Sequence, residues 1–287
     1  MRLVTWIASD GARRPGAVSN IGGVDRLVDL TPLAVDIVTI LSDEVIRAAA
    51  QAALASAGVT APLLADVPLG PPVVPGKLLC LGYNYAGHVA AGASVDDVPQ
   101  YPNVFVKTPN TYAGPNDPVV LPAASAHTDY EGEIALVVGS QARNVAEAAA
   151  GTHIAGYLLL NDVSSRDWQD RSSQWTLGKC SDGFAPMGPW ITTADAVPNP
   201  GDLLLEVVRD GEVTVSQSTA TCVFTPEFTL AYISQMMTLE PGDVISLGTP
   251  QKLPSALAAH RPLAPGDAVT VRATGLGELT TTFLGSR

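Results

Sequence analysis

Charge is scarce in this chain. Only 15% of the 287 residues are Asp, Glu, Lys or Arg, and 46% are hydrophobic. That composition is globular, not disordered. Lysine is scarcest: Lys77, Lys107, Lys179 and Lys252 are the four in the chain, and the net charge is −12. So acidic a surface argues against nucleic acid or an anionic membrane as partner. Cysteine is limited to Cys80, Cys180 and Cys222. An odd number of widely spaced cysteines reads as buried thiols in a reducing compartment, not a disulfide framework. No apolar run approaches the roughly 20 residues of a membrane helix, and Met1 to Ile7 has no long apolar core of a signal peptide. A cytoplasmic protein is expected. Also missing are a Gly-x-Ser-x-Gly elbow, a Walker loop, a Gly-x-Gly-x-x-Gly turn and a Cys-x-x-Cys pair.

The length allows one large domain or one large and one small. Residues 1–75 carry short strand-like pieces (Arg2 to Ile7, Gly16 to Asn20, Arg26 to Asp29) and one helix. Ser42 is its expected cap, Asp43 and Glu44 its first turn, and Gly58 its terminating glycine. The Pro-rich stretch 68–76 reads as a linker, so a small N-terminal domain over 1–75 and a second domain over 76–287 are expected. Beyond it, Lys77 to Leu81 reads as a strand and residues 82–100 as a mobile Gly/Ala loop. Asp210-Gly211 marks a hairpin, and Asn144 with Glu147 suggests a capping box. Thr225-Pro226 opens a helix. Pro241-Gly242-Asp243 and Pro265-Gly266-Asp267 mark two turns before strands. Many strands with a few short helices give an α+β, β-dominated class, not alternating α/β.

Three carboxylates stand out. Glu131 and Glu133 open the apolar run Ile134 to Val138, and side chains two apart on a strand share a face. Two carboxylates on one face repel unless a cation or a proton lies between them. A second apolar run, Ile154 to Leu160, delivers Asp162 at its end. Oxygen donors without Cys or His suit Mg²⁺, Mn²⁺ or Ca²⁺ rather than zinc. The blander alternative is a solvated strand edge and a turn cap.

Several segments in one order resemble the fumarylacetoacetate hydrolase family. They are Leu81-Gly82-Tyr83-Asn84-Tyr85-Ala86-Gly87-His88, Pro102 to Lys107, Asp129-Tyr130-Glu131-Gly132-Glu133, Asn161-Asp162-Val163-Ser164-Ser165-Arg166-Asp167, Gly178-Lys179, Pro186 to Trp190, and Leu239 to Asp243 through Gly248-Thr249-Pro250. The resemblance covers most of the chain from about Lys77. It implies a β-roll with a small N-terminal α/β domain, usually in homodimers or larger assemblies. It also implies Mg²⁺ or Mn²⁺, sometimes Ca²⁺, on Glu131, Glu133 and Asp162. Implied substrates are 2-oxo acids or 1,3-dicarbonyls, undergoing C–C hydrolysis, decarboxylation, hydration or isomerisation, in the setting of aromatic-compound catabolism.

Individual roles follow from the same match. Lys179 is implied to hold a substrate carboxylate or a developing oxyanion; alternatively it pairs with one of the carboxylates. Arg166 and Gln169, one helical turn apart, are implied to contact substrate oxygens; otherwise Arg166 pairs with Asp162 or Asp170. Tyr83 and Thr249 fall in matched segments and join the substrate-binding set. Lys107 is either part of the site or structural. His88 is the implied general base, with His127, His153 and His260 weaker rivals.

One departure matters. Many relatives carry a glutamate three residues after the histidine, and Ala91 stands there; others carry it in the loop after Gly-Thr, where Gln251 to Gly266 has no acid. Asp96 or Asp97 is the remaining candidate partner for His88. The expected function is metal-dependent C–C hydrolysis of a 2-oxo acid or 1,3-dicarbonyl. Decarboxylation, isomerisation or hydration on the same metal is the alternative, and a silent binding or assembly protein is the alternative of another class.

Overall fold

A computed structural model describes residues 1–89, 94, 97–197 and 199–286. Ala91 and Asp96, named above, lie outside the described residues, as does much of the expected loop.

Three antiparallel strands open the chain: Arg2–Ile7, Arg13–Ile21 and Val24–Asp29. The expected single helix is two, Ile37–Ser42 and Glu44–Ala55. Asp43 stands between them in extended backbone, and its carboxylate accepts from the backbone N–H groups of Val45 and Ile46 at 2.8 and 3.0 Å. Asp43 is therefore the cap. The Ser42 hydroxyl instead donates back to the Val38 carbonyl at 2.8 Å. Ser56 ends the second helix in right-handed backbone, and Gly58 has no positive φ.

The strand Arg2–Ile7 pairs antiparallel with Ala185–Thr193. One sheet thus runs from the N-terminal meander through Ala185–Thr193, Ile154–Asn161, Gly132–Val138, Val244–Ser246 and Leu78–Gly82 to Asn103–Lys107. Leu3, Ala17, Leu30 and Ile40 share a core with Leu78, Ala135, Val137 and Leu158. The Pro-rich stretch between them is buried at residues 69–73 and 75. Gly70 donates its backbone N–H to the Thr5 carbonyl at 2.9 Å.

A second sheet holds Glu212–Ser218, Leu204–Arg209, Ala268–Ala273, Gly277–Leu284 and the short Val119–Val120. Its hairpin turns at Asp210 and Gly211, with φ of 55° and 81°. Two consecutive positive φ values are those of the tight primed turn. The two Pro-Gly-Asp turns close alike: Asp243 accepts from the Glu240 N–H and Asp267 from the Ala264 N–H, each at 2.8 Å. The helix Pro226–Ser234 is capped by the Thr225 hydroxyl oxygen, which accepts from Phe228 N at 3.1 Å. The capping box at Asn144 does not form. Asn144 has a φ of 53°, and the helix Glu147–Ala150 starts after Ala146 with no side-chain cap.

The architecture is mixed α+β and rich in strands. Among the described residues no helix is long and apolar enough to cross a membrane.

Candidate active site and metal centre

Two neighbouring strands bring the carboxylates together. Gly132–Val138 and Ile154–Asn161 pair antiparallel, with Glu133 opposite Leu160 and Gly132 opposite Asn161. Glu131 just before one strand and Asp162 just after the other therefore meet, and Asp162 N donates to the Glu131 carbonyl at 2.8 Å. Oxygens of Glu131, Glu133 and Asp162 all lie within 4.8 Å of one another, and all three residues are buried. Buried carboxylates need cations or protons.

Four basic side chains answer. Lys179, buried at the end of the short helix Thr176–Lys179, places Nζ 2.6 Å from Glu131 and 2.5 Å from Asp162. Lys107, also buried, pairs with Asp162 and donates to the Val163 carbonyl at 3.0 Å. Arg166 reaches Glu131 at 2.6 Å and Asp129 at 3.0 Å. Lys252 holds Asp129 from 2.5 Å. Of the partners weighed for Arg166, neither Asp162 nor Asp170 is its ion-pair partner; sheet register hands it Asp129 and Glu131. Gln169 accepts from Arg166 Nη1 at 3.1 Å.

The electrostatics divide the triad. Burial raises the Glu131 carboxyl, but Arg166 and Lys179 outweigh it and hold the group well below its ordinary range. Glu133 goes the other way: burial first, then Asp162 and Glu131, push it well up. Its described bond is from the Ser246 hydroxyl. Burial lowers Lys179, and Asp162 and Glu131 more than restore it, so it stays cationic. A carboxylate crowded by two others and bonded to one hydroxyl fits the donor set of a hard-cation site. Three oxygen donors suit Mg²⁺, Mn²⁺ or Ca²⁺.

His88 lies beside this cluster. Its Nδ1 is 2.6 Å from the Thr249 carbonyl oxygen. Asp97, one of the two suggested partners, accepts instead from Ser94 N at 2.8 Å. His127 is exposed, and His153 Nδ1 meets the Ser140 hydroxyl at 2.9 Å, away from the triad. Tyr83, His88, Glu131, Glu133, Arg166, Gln169, Lys179 and Thr249 line one cavity of about 170 Å³. Asp162 sits behind it, bound to Lys179.

Sequence reasoning passed over three contributors. Trp175 packs edge-on to Tyr83 and Phe105, with centroids 5.7 and 5.4 Å apart, and walls the cavity. Ser246 bonds Glu133. Lys252 pairs with Asp129. Its signal was present: it is one of four lysines, in a loop with no acid, two residues after Gly248-Thr249-Pro250.

Comparison with known proteins agrees with this geometry. The family model described as fumarylacetoacetate (FAA) hydrolase C-terminal matches residues 77–284. A protein of Burkholderia orbicola (strain MC0-3), provisionally named a hydrolase, is 39% identical over 286 residues, covering 97% of each chain. The maleylpyruvate hydrolase of Sphingobium sp. SYK-6, solved with manganese(II) and pyruvate, is 30% identical with a TM-score of 0.82, covering all of both chains. The 5-carboxymethyl-2-hydroxymuconate delta-isomerase of Mycobacterium smegmatis is 30% identical with a TM-score of 0.79, again covering all of both.

Proposed function

This chain belongs to the fumarylacetoacetate hydrolase family, and on that premise we propose that it is a divalent-metal-dependent hydrolase cleaving a C–C bond in an acylpyruvate-like 2-oxo acid or 1,3-dicarbonyl. One observation carries the reading: Glu131 and Glu133 of the buried triad open into a cavity shared with His88, Lys179 and Arg166, with Asp162 directly behind them on Lys179. The Sphingobium neighbour, with manganese(II) and pyruvate, supports the ion class and the 2-oxo acid.

Glu131, Glu133 and Asp162 would hold Mg²⁺ or Mn²⁺. Once bound, the ion supplies a Lewis acid for the keto oxygen of the substrate. Lys179 offers a buried ammonium, kept charged by Asp162 and Glu131, to a substrate carboxylate or oxyanion. The Thr249 carbonyl can only accept, so His88 Nδ1 carries the hydrogen and Nε2 keeps its lone pair. Nε2 then takes a proton from water, whose oxygen bonds to the carbonyl carbon remote from the carboxylate. The C–C bond breaks, its electron pair stays with the 2-oxo acid fragment as an enolate, and the proton is returned to carbon. Tyr83, Gln169 and Thr249 line the cavity and position the substrate. The proposal includes a homodimer, which sedimentation velocity would show as twice the mass of the chain.

A second reading, a decarboxylase or isomerase of a 2-oxo acid, is favoured by one feature. The described partner of His88 is a carbonyl, not a carboxylate, and a carbonyl does less to strengthen a base. Product analysis by mass spectrometry decides, using Mn²⁺ with an acylpyruvate, fumarylpyruvate and oxaloacetate. Paired acids from the first two are expected. Loss of carbon dioxide from oxaloacetate without diketone cleavage would replace the hydrolase reading with the second. Glu131→Ala should abolish the metal-dependent activity; full turnover in a metal-free assay would refute both.

A further inference from the structure

The turn that carries His88 is tied on both sides. On one side stands Asn84, which is fully buried. Its amide nitrogen donates to the Leu247 carbonyl at 2.9 Å and to the Phe224 carbonyl at 3.1 Å. Its side-chain oxygen accepts from Phe224 N at 2.8 Å, and its backbone carbonyl from Val223 N at 2.7 Å. Leu247 in turn donates its N–H at 2.9 Å to the carbonyl of Ile134, the neighbour of Glu133. It also lies two residues before Thr249, whose carbonyl meets His88. The Asn84 amide therefore connects the carboxylate strand with the turn of the histidine.

The second sheet holds the other side. Tyr85 bridges antiparallel to Cys222, and Ala86 N donates to the Thr221 carbonyl at 2.9 Å. Gln217, in the strand Glu212–Ser218, donates from Nε2 to the Ala86 carbonyl at 3.1 Å and to the Thr221 hydroxyl at 2.8 Å. Gly87 follows with a φ of 84°, and His88 N donates back to the Tyr85 carbonyl at 3.0 Å. Both side-chain amides act through their N–H donors. Turned over, the Asn84 amide would set its oxygen against two carbonyl oxygens, so its orientation is fixed.

The Thr249 carbonyl can orient the imidazole only while the backbone of His88 stays at a set distance from it. Asn84 sets that distance through Leu247, and Gln217 steadies the turn through Ala86. We propose that Asn84 and Gln217 are positioning residues for the base, holding the turn 84–88 so that His88 Nδ1 stays on the Thr249 carbonyl. This rests on the proposed function, which assigns His88 its role. Neither amide lines the cavity. Each acts through His88, where a misplacement of about 1 Å costs about a hundredfold in rate.

Histidine-selective ¹⁵N NMR on the Mg²⁺-loaded full chain tests this without substrate, with His88→Ala identifying the signal. At about pH 9, above the ordinary imidazole range, the parent should show His88 as a single Nδ1–H tautomer. Gln217→Glu keeps the shape of the side chain and loses both donors; Asn84→Ala loses the bridge to Leu247. In each, the His88 signals should move toward the tautomer mixture of a free imidazole. With an acylpyruvate, kcat should fall about tenfold in Gln217→Glu and about a hundredfold in Asn84→Ala. KM and Mn²⁺ affinity should stay within about threefold of the parent. A merely structural role would lower stability and leave the tautomer and kcat of the folded protein alone. Either reading unchanged in the folded variants would therefore overturn the positioning role. Should Asn84→Ala fail to fold, Gln217→Glu, at a partly exposed position, carries both readings. A parent with the fixed tautomer that converts none of an acylpyruvate, fumarylpyruvate and oxaloacetate overturns the proposed function instead.

Discussion

His88 and Thr249 stand 161 residues apart in the chain, yet the imidazole Nδ1 lies 2.6 Å from the Thr249 carbonyl oxygen. The bond sets the tautomer of an imidazole that lines the cavity. It depends on Gly248, which has a φ of 83°; a Cβ there would stand 2.7 Å from the Leu81 carbonyl oxygen. Gly248→Ala must therefore shift the carbonyl that follows. We expect a loss of about 1–3 kcal/mol in stability from the strained backbone and a fall in kcat of about a hundredfold from the displaced base. Steady-state kinetics beside Mn²⁺ titration check this, with the metal affinity holding. An unchanged kcat would mean that His88 takes its orientation elsewhere.

Glu133 should behave unlike its neighbours. It is crowded by Asp162 and Glu131, which with burial push its carboxyl up. Glu133→Gln keeps the shape and an oxygen for the Ser246 hydroxyl while removing the repulsion. The metal-free variant should be at least as stable as the parent, and its Mn²⁺ affinity should drop at least tenfold. Urea midpoints and calorimetry read the two effects. A destabilised variant with normal metal binding would contradict both.

Lys107 and Asp162 form an ion pair with both side chains fully buried. Lys107→Met removes one of the two lysines that answer Asp162, and breaking such a pair costs about 3–5 kcal/mol. A divalent ion bound to the triad restores positive charge there. Mn²⁺ should thus raise the urea midpoint of Lys107→Met more than that of the parent. Equal metal effects would place Lys107 outside the charge balance of the triad.

Far from the triad, Asp267 supplies a pH signature. Burial raises its carboxyl, but hydrogen bonds from Arg261 and the Ala264 N–H, with the charge of Arg209, outweigh it, so the folded value is lowered. A lowered folded value means stability that is present above the unfolded pKa of about 3.9. It is lost as pH falls from there through the folded value. Asp267→Asn should cost roughly 1–3 kcal/mol at pH 7, with the gap shrinking below about pH 4. Urea midpoints at pH 7, 5 and 3 would show it; a gap independent of pH would mean the ionic bonds contribute nothing.

Local chemistry made much of this protein legible. The Asp210-Gly211 hairpin and the two Pro-Gly-Asp turns form where their residues demand positive φ or an aspartate acceptor. Thr225 caps its helix as the Thr-Pro pair predicts. The misses are local contests between similar residues. Asp43 took the cap from Ser42 one position away, and the helix divided there. Asn144 turned left-handed rather than capping.

The sequence by itself determined the candidates: three carboxylates, two of them placed on one face by the period of a strand, and a lysine and histidine in matched segments. Only the tertiary structure decided who meets whom. Pairing of Leu160 with Glu133 sets Asp162 beside Glu131. The loop after Thr249 carries Lys252 back to Asp129, 123 residues earlier, and a backbone carbonyl to His88. Strand register and loop closure fix these meetings. They depend on the packing of the whole sheet, which no short stretch of residues encodes.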